Sequence, residues 1–251
     1  MGRDGGSVYE KYASKYISDE LQKLHISPFF EYSYSQYFTF VNKGDTLSSQ
    51  NIIGRIDNGA DSTILIISHY DHIGLGGPRS RSFVSDKVHP GADDNASGVA
   101  LNLLLAKKIK RKGNKNYNYI FLFTGAHEKG LFGAKYFNDS NANELKSVCL
   151  LINLDMIGRL DRETKQMLIF NSKKGFDPYQ AFDFPAGELY FQDKEELTGD
   201  HSVLSNYKGH VIFFSTGVHE DYHKVSDTPD KLNYKGMHII NNMIFQYLKN
   251  I

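Results

Sequence analysis

Four apolar runs, each ending in histidine or carboxylate, constrain this chain more than any other feature. They are "TILIISHYDH" (63–72), "YIFLFTGAHE" (119–128), "VCLLINLDM" (148–156) and "HVIFFSTGVHEDYH" (210–223). Unbroken apolar stretches of this length suit strands buried on both faces rather than strands with one wet side. Segments of helical period lie between them, over 97–112 and 131–138, and follow the last from about 233. Strand alternating with helix predicts an α/β fold: a mostly parallel, mixed, twisted sheet flanked by helices on both faces.

The remaining elements follow from local signals. Ser7 and Glu10 form an S-x-x-E capping box, and Val8, Tyr12, Tyr16, Ile17, Leu21 and Leu24 continue it as an amphipathic helix. Residues 28–43, rich in Phe and Tyr, alternate loosely and predict a strand or extended arm. "NIIGRI" (51–56) and "TILIIS" (63–68) read as strands joined by the turn "DNGAD". Further strands are expected at 117–123, 147–154, 166–170 and 210–215, with a helix near 201–207. With 251 residues and neither repeat nor linker, one domain over 1–251 is expected.

Composition removes several function classes. Lys+Arg and Asp+Glu both total 29, so the chain lacks the basic footprint of a nucleic-acid binder. No apolar run approaches a membrane span. Cys149, the single cysteine, sits in an apolar run and reads as a core residue; it excludes an internal disulfide and a Cys-based metal site. The start, "MGRDGGSVYEKYA", has no signal-peptide apolar region and reads as a chain entered partway, so a processed or truncated N-terminus is expected.

In such sheets a ligand site lies beyond the carboxyl ends of the strands. Those ends carry His69, Asp71 and His72; His127 and Glu128; Asp155; and His219, Glu220, Asp221 and His223. The loop "HPGADDNASG" adds Asp93 and Asp94 just before a helix. Singly, each has a plain explanation as a cap, a turn former or a surface histidine. Packing, however, does not require imidazole or carboxylate at four successive strand ends. Two histidines and three carboxylates without cysteine suit two borderline cations: Zn²⁺, with Co²⁺ or Mn²⁺ as alternatives.

"SHYDHIG", "HPGADDNASGVALNLLLA", "TGAHEKGLFGAKYF", "LINLDMIGR" and "DYHKVSDTPDKLN", in that order, resemble the motifs of the M28 family of dinuclear-zinc aminopeptidases, bacterial type. The resemblance implies a zinc-exopeptidase-like fold, two Zn²⁺ ions, and peptide substrates with a free N-terminus attacked by a hydroxide bridging the metals. Residue by residue, it implies Asp94 as the bridging carboxylate, His69 and Asp155 on one metal, and Glu128 and His223 on the other. It gives Asp71 the task of accepting a hydrogen bond from His69, and Tyr222 that of steadying an oxyanion. Asp200, His201 and His72 are expected near the substrate. Family members are often exported, which implies a periplasmic or extracellular site; a monomer is expected. Two alternatives share the fold: a metal-binding or scaffold protein with impaired catalysis, and a glutaminyl-cyclase-like zinc acyltransferase, which His69 at its ligand position counts against.

The chain departs from the family at one residue. The family's general base is normally a Glu just before the metal-ligating Glu128, and that position holds His127. Two dications against Asp94, Glu128 and Asp155 leave one positive charge, which a Glu base would cancel and a neutral His does not. The extra charge favours water ionisation and disfavours imidazolium. Three roles for His127 therefore stay open: general base, occupant of a slow or inactive site, or further metal ligand. Arg159 reads either as a partner for a substrate carboxylate or as a salt-bridge residue, and residues 74–88 as the rim of the cleft.

Overall fold

The computed structural model describes residues 2–84, 86–182, 189–193 and 197–251. Helix α1 (Val8–Lys23) starts where the capping box placed it, with the Ser7 hydroxyl accepting from the Glu10 N–H. Strands β1 (Ser27–Pro28), β2 (Ser35–Asn42), β3 (Asp45–Ile56) and β4 (Thr63–His69) follow, then α2 (Gly98–Lys112) and β5 (Asn118–Thr124). Helices α3 (Phe132–Ser140) and α4 (Ala142–Leu145) lead to β6 (Val148–Leu154) and β7 (Gln166–Asn171). Short α5 (Pro178–Ala181), β8 (Tyr190–Asp193), β9 (His210–Ser215) and α6 (Tyr234–Asn250) complete the described chain.

The strands pair in the order β1-β3-β5-β4-β6-β9-β7-β8, with β2 also on β3. The central four, β5, β4, β6 and β9, are mutually parallel, and antiparallel pairings lie on either side of them. These four carry the His- and carboxylate-tipped runs, so all four polar ends emerge at one edge. Every residue of β4 is buried. Its alternate side chains serve opposite faces: Ile64 and Ile66 pack with Leu21 of α1, Leu105 of α2 and Ile244 of α6, while Leu65 and Ile67 pack with Phe137 of α3 and Leu145 of α4. Burying one such side chain contributes roughly 1.5–3 kcal/mol, which fixes the register of the strands that aim the site.

Three local expectations are corrected. The strand read at 51–56 begins six residues earlier, because Lys43 (φ 52°) and Gly44 (φ 92°) make a two-residue turn that folds β2 onto β3. The polar "DTLSSQ" half of β3 was invisible to hydrophobic pattern; β2 instead buries Phe38 and Phe40 beside Phe132 and Ala126. The helix expected near 201–207 is a single 3-10 turn, Asp200–Val203. It stops because Asn206 bonds elsewhere, its N–H to Asn138 Oδ1 at 2.9 Å and its side chain to the Asn138 carbonyl at 2.9 Å. Cys149 is exposed rather than core, being the outward-facing second residue of β6.

Candidate metal centre

Asp94 lies in the turn of residues 92–97 that enters α2, and its two carboxylate oxygens face different partners. Oδ1 is 3.2 Å from His69 Nε2, which is itself 3.4 Å from Asp155 Oδ1. Oδ2 is 3.1 Å from His223 Nε2, which in turn is 3.1 Å from Glu128 Oε1. The five residues expected as ligands thus converge, with one carboxylate between two His–carboxylate pairs. Asp93, its sequence neighbour, turns away: its oxygens take the Gly158 N–H at 2.5 Å and His219 Nε2 at 3.1 Å.

The donor set fits bound cations. Buried His69 Nε2 and Asp94 Oδ2 come within 3.1–3.4 Å of their neighbours but make no well-aligned hydrogen bond among the described residues, a costly state unless something else engages them. His69, His127 and Asp155 form one group with ligand atoms within 4.8 Å of one another, and His72, Asp94 and Glu128 form another. The charges are tightly coupled. Burial opposes ionisation of Asp94, yet His223 and His69 hold its pKa well below the usual range. His223, pressed down by burial, is carried up to about 10 by Asp94 and Glu128.

The loop holding His127 and Glu128 is clamped from below. Asp71 was expected to accept a hydrogen bond from His69, but that pair is 3.8 Å apart. Its carboxylate accepts the backbone N–H groups of His127 at 2.8 Å and Glu128 at 3.0 Å instead. Two backbone donors converging on one buried carboxylate satisfy it better than a single ring N–H and fix where both side chains point. Glu10, known from sequence only as part of a cap, is also buried and accepts the Ala126 N–H at 3.0 Å. These clamps hold Ala126 at φ 52°, and Met156 (φ 55°) and His223 (φ 56°) are left-handed in two neighbouring loops. Such conformations persist only where surroundings over-determine them.

His127 is paired. Its Nδ1 lies 3.0 Å from Asp200 Oδ1, and Asp200 Oδ2 accepts the Thr124 hydroxyl at 2.6 Å. The ring stacks on His69, with centroids 3.7 Å apart and planes 9° from parallel. Burial and the His69 ring press the His127 pKa down, but Asp200, with Asp155, brings it above its ordinary value. Asp200 was expected beside substrate; with 1% exposure it orients His127.

The other two residues expected near substrate lie against the protein's own groups. His72 is fully buried, its Nδ1 3.6 Å from Glu128 and 3.7 Å from Asp94. Being shut from solvent, it meets the carboxylates rather than a substrate. His201 bonds through Nδ1 to Asn153 at 3.0 Å and packs on Phe170 and Phe213. Tyr222 stacks on His223 at 3.9 Å, and burial with nearby Asp94, Glu128 and Asp155 raises its pKa, keeping the phenol protonated.

Arg159 is a salt-bridge residue, 3.0 Å from Asp221 and 3.3 Å from Asp227. Asp227 accepts the N–H groups of Asp93 and Asp94, so this pair steadies the bridging turn. Sequence reasoning missed Arg3 altogether. Its guanidinium donates to the carbonyls of Tyr70 and Gly91 at 2.7 Å, Asp94 at 3.4 Å, and Pro90. The segment passes under three ligand-bearing loops, because the His72 N–H also bonds the Arg3 carbonyl and Lys129 bonds Asp4. Gly91 (φ 58°) makes this possible, since a Cβ there would sit 2.6 Å from the His72 ring. An Arg in the short stretch "GRDGG" carries no sequence signal of such a task.

A carboxylate–histidine cluster stands at the carboxyl edge of the parallel strands, with two groups of side chains that could hold metal ions. A sequence model described as peptidase family M28 matches residues 51–248, and the chain belongs to that family. It is 30% identical over 118 residues to "probable leucine aminopeptidase 2" of Aspergillus oryzae, a match covering 46% of this chain and 21% of that one. The matched segments span less than half the length of the curated relatives. Among solved structures, a Zn-dependent exopeptidase from Parabacteroides distasonis superposes with a TM-score of 0.81 at 18% identity, over 100% of this chain and 93% of that one. A glutaminyl cyclase from Fimbriiglobus ruber does so with 0.80 at 16% identity, over 99% and 89%. Both likenesses confirm the fold: a mixed sheet between helical layers. No helix among the described residues is long and apolar enough to cross a membrane.

Proposed function

We propose that the chain is an aminopeptidase with a co-catalytic pair of zinc ions, acting at the free N-terminus of peptides. His69 and Asp155 would hold one ion and Glu128 and His223 the other, with the Asp94 carboxylate between the two pairs. The observation that carries this is the division of Asp94, with Oδ1 3.2 Å from His69 and Oδ2 3.1 Å from His223. Two such cations supply Lewis acidity toward a carbonyl and acidify water.

The protein's own groups manage the protons. Asp200 holds Nδ1–H of His127, which leaves Nε2 as the atom that accepts a proton and returns it to the leaving amine. The same carboxylate offsets the imidazolium that forms, in the manner of an Asp–His pair. Asp200 also supplies the negative charge that an expected Glu base would have brought, so the pair restores neutrality to the site. The protonated Tyr222 phenol is the donor available to a developing oxyanion.

Elemental analysis of dialysed protein, together with a panel of aminoacyl chromogenic substrates, tests it. Two zinc ions with turnover are expected. Bound metal without turnover indicates a scaffold, and absence of metal overturns the proposal. A second reading, cyclisation of N-terminal glutamine with loss of ammonia, shares the fold; a single zinc and release of a pyroglutamyl product would establish it.

A further inference from the structure

His72 is completely buried, and neither of its ring nitrogens has a hydrogen-bond partner among the described residues. A buried imidazole with both nitrogens idle is costly, and an apolar ring would fill the same space without that cost. Something other than packing therefore has to account for a histidine here.

The ring faces the metal centre. Its Nδ1 lies 3.6 Å from Glu128 Oε1 and 3.7 Å from Asp94 Oδ2. Those same two oxygens stand 3.1 Å from His223 Nε2. The His72 separations are too long for hydrogen bonds. They suit donors that share an ion: ligand atoms about 2.0–2.1 Å from one zinc, at tetrahedral to trigonal angles, stand roughly 3.3–3.6 Å apart. The ligand atoms of His72, Asp94 and Glu128 all lie within 4.8 Å of one another.

The placement of the ring is also fixed. The His72 N–H donates to the Arg3 carbonyl at 2.9 Å, and the ring of His223 meets that of His72 edge-on at 5.5 Å. Gly91 backs it so closely that a Cβ there would come within 2.6 Å of the imidazole.

We propose that His72 is a further protein ligand of the ion assigned to Glu128 and His223, bound through Nδ1 with the proton on Nε2. The inference deepens the two-metal reading above and rests on it. Ligation reduces the two unpartnered ring nitrogens to one. With Asp94 Oδ2, that ion has four protein donors, whereas His69, Asp155 and Asp94 Oδ1 give the other only three. A complete protein shell is the pattern of a retained ion, and three donors leave a position open to water or a carbonyl oxygen. The two ions are therefore unequal, one an anchor and the other the one that meets substrate.

The direct test needs no turnover. Protein labelled with ¹⁵N-histidine is loaded with ¹¹³Cd²⁺, and couplings from cadmium to ring nitrogens are read by NMR. His69 and His223 have Nδ1 facing the carbonyls of Asp71 and Arg79, so both are expected to couple through Nε2. A third ring is expected to couple through Nδ1, and His72→Phe to abolish that signal alone. Couplings confined to Nε2 atoms, with two ions bound, overturn the proposal and leave the peptidase reading intact. An Nδ1 coupling in protein that turns over no aminoacyl substrate upholds His72 and sinks that reading. Protein that binds no cadmium overturns both. In chelator competition, His72→Phe is expected to weaken one zinc by more than about 100-fold, beyond the roughly 10–100-fold effect of losing an outer-shell partner, and to spare the other. Weakening of neither zinc, or of both alike, counts against the assignment.

Discussion

Nδ1 of His127 and Oδ1 of Asp200 are 3.0 Å apart, in a chain that has histidine where a carboxylate base is expected. The pairing fixes the tautomer and places a negative charge behind the ring. Asp200→Asn keeps the shape and removes that charge. It is expected to lower kcat roughly 10–100-fold while zinc content stays the same. In metal-free protein the His127 titration, followed by NMR, is expected to move downward. An unshifted titration would mean that Asp200 only packs.

Arg3 makes a different kind of prediction, because it braces carbonyls around the bridging turn without touching a ligand side chain. Arg3→Met removes the donors and keeps most of the length. Buried carbonyls then lose charge-assisted partners, which costs about 1–3 kcal/mol of stability. Zinc affinity, from competition with a chelator, is expected to fall about 10–100-fold. Loss of stability with unchanged affinity would show that Arg3 braces only the fold.

The metal-free protein is expected to weaken as pH rises. His223 is lifted from its ordinary 6.5 to about 10 by Asp94 and Glu128, against the pull of burial. A raised folded-state pKa contributes stability that is complete below about 6.5 and is lost as pH climbs through about 10. Glu10, raised to about 8 by burial and Asp71, disfavours the folded state progressively between its ordinary value and 8, in the same direction. Urea melts of chelator-treated protein at pH 6.5 and 9.5 check this, with His223→Gln expected to flatten the dependence. Zinc binding at neutral pH is also expected to release protons, since the ligand must be neutral imidazole.

Much of the fold was legible because buried parallel strands leave an unmistakable apolar run, and their polar ends marked one edge. The five converging residues could be named only through the resemblance to the M28 motifs, since the strand ends and the turn before α2 offered several other histidines and carboxylates. What escaped was second-tier: Asp71 clamps backbone rather than His69, Asp200 serves His127 rather than substrate, and His72 is sealed beneath Glu128. Those assignments depend on which lone pair meets which N–H, and residue type and spacing do not encode that. The polar half of β3 and the span of Arg3 were missed for a related reason. The polar half of β3 pairs with nearby β2 but shows no apolar alternation, and the carbonyls that Arg3 meets lie 67 to 91 residues away and impose no local period.

The central claim is that His127 transfers protons in an intact two-metal site. Its most direct test is kcat of zinc-loaded His127→Ala, with zinc measured on the same sample. Two retained zinc ions and a kcat lowered by about 10²–10⁴ are expected. An unchanged kcat, or a variant that has lost zinc, would contradict it, the latter by showing His127 to be a ligand.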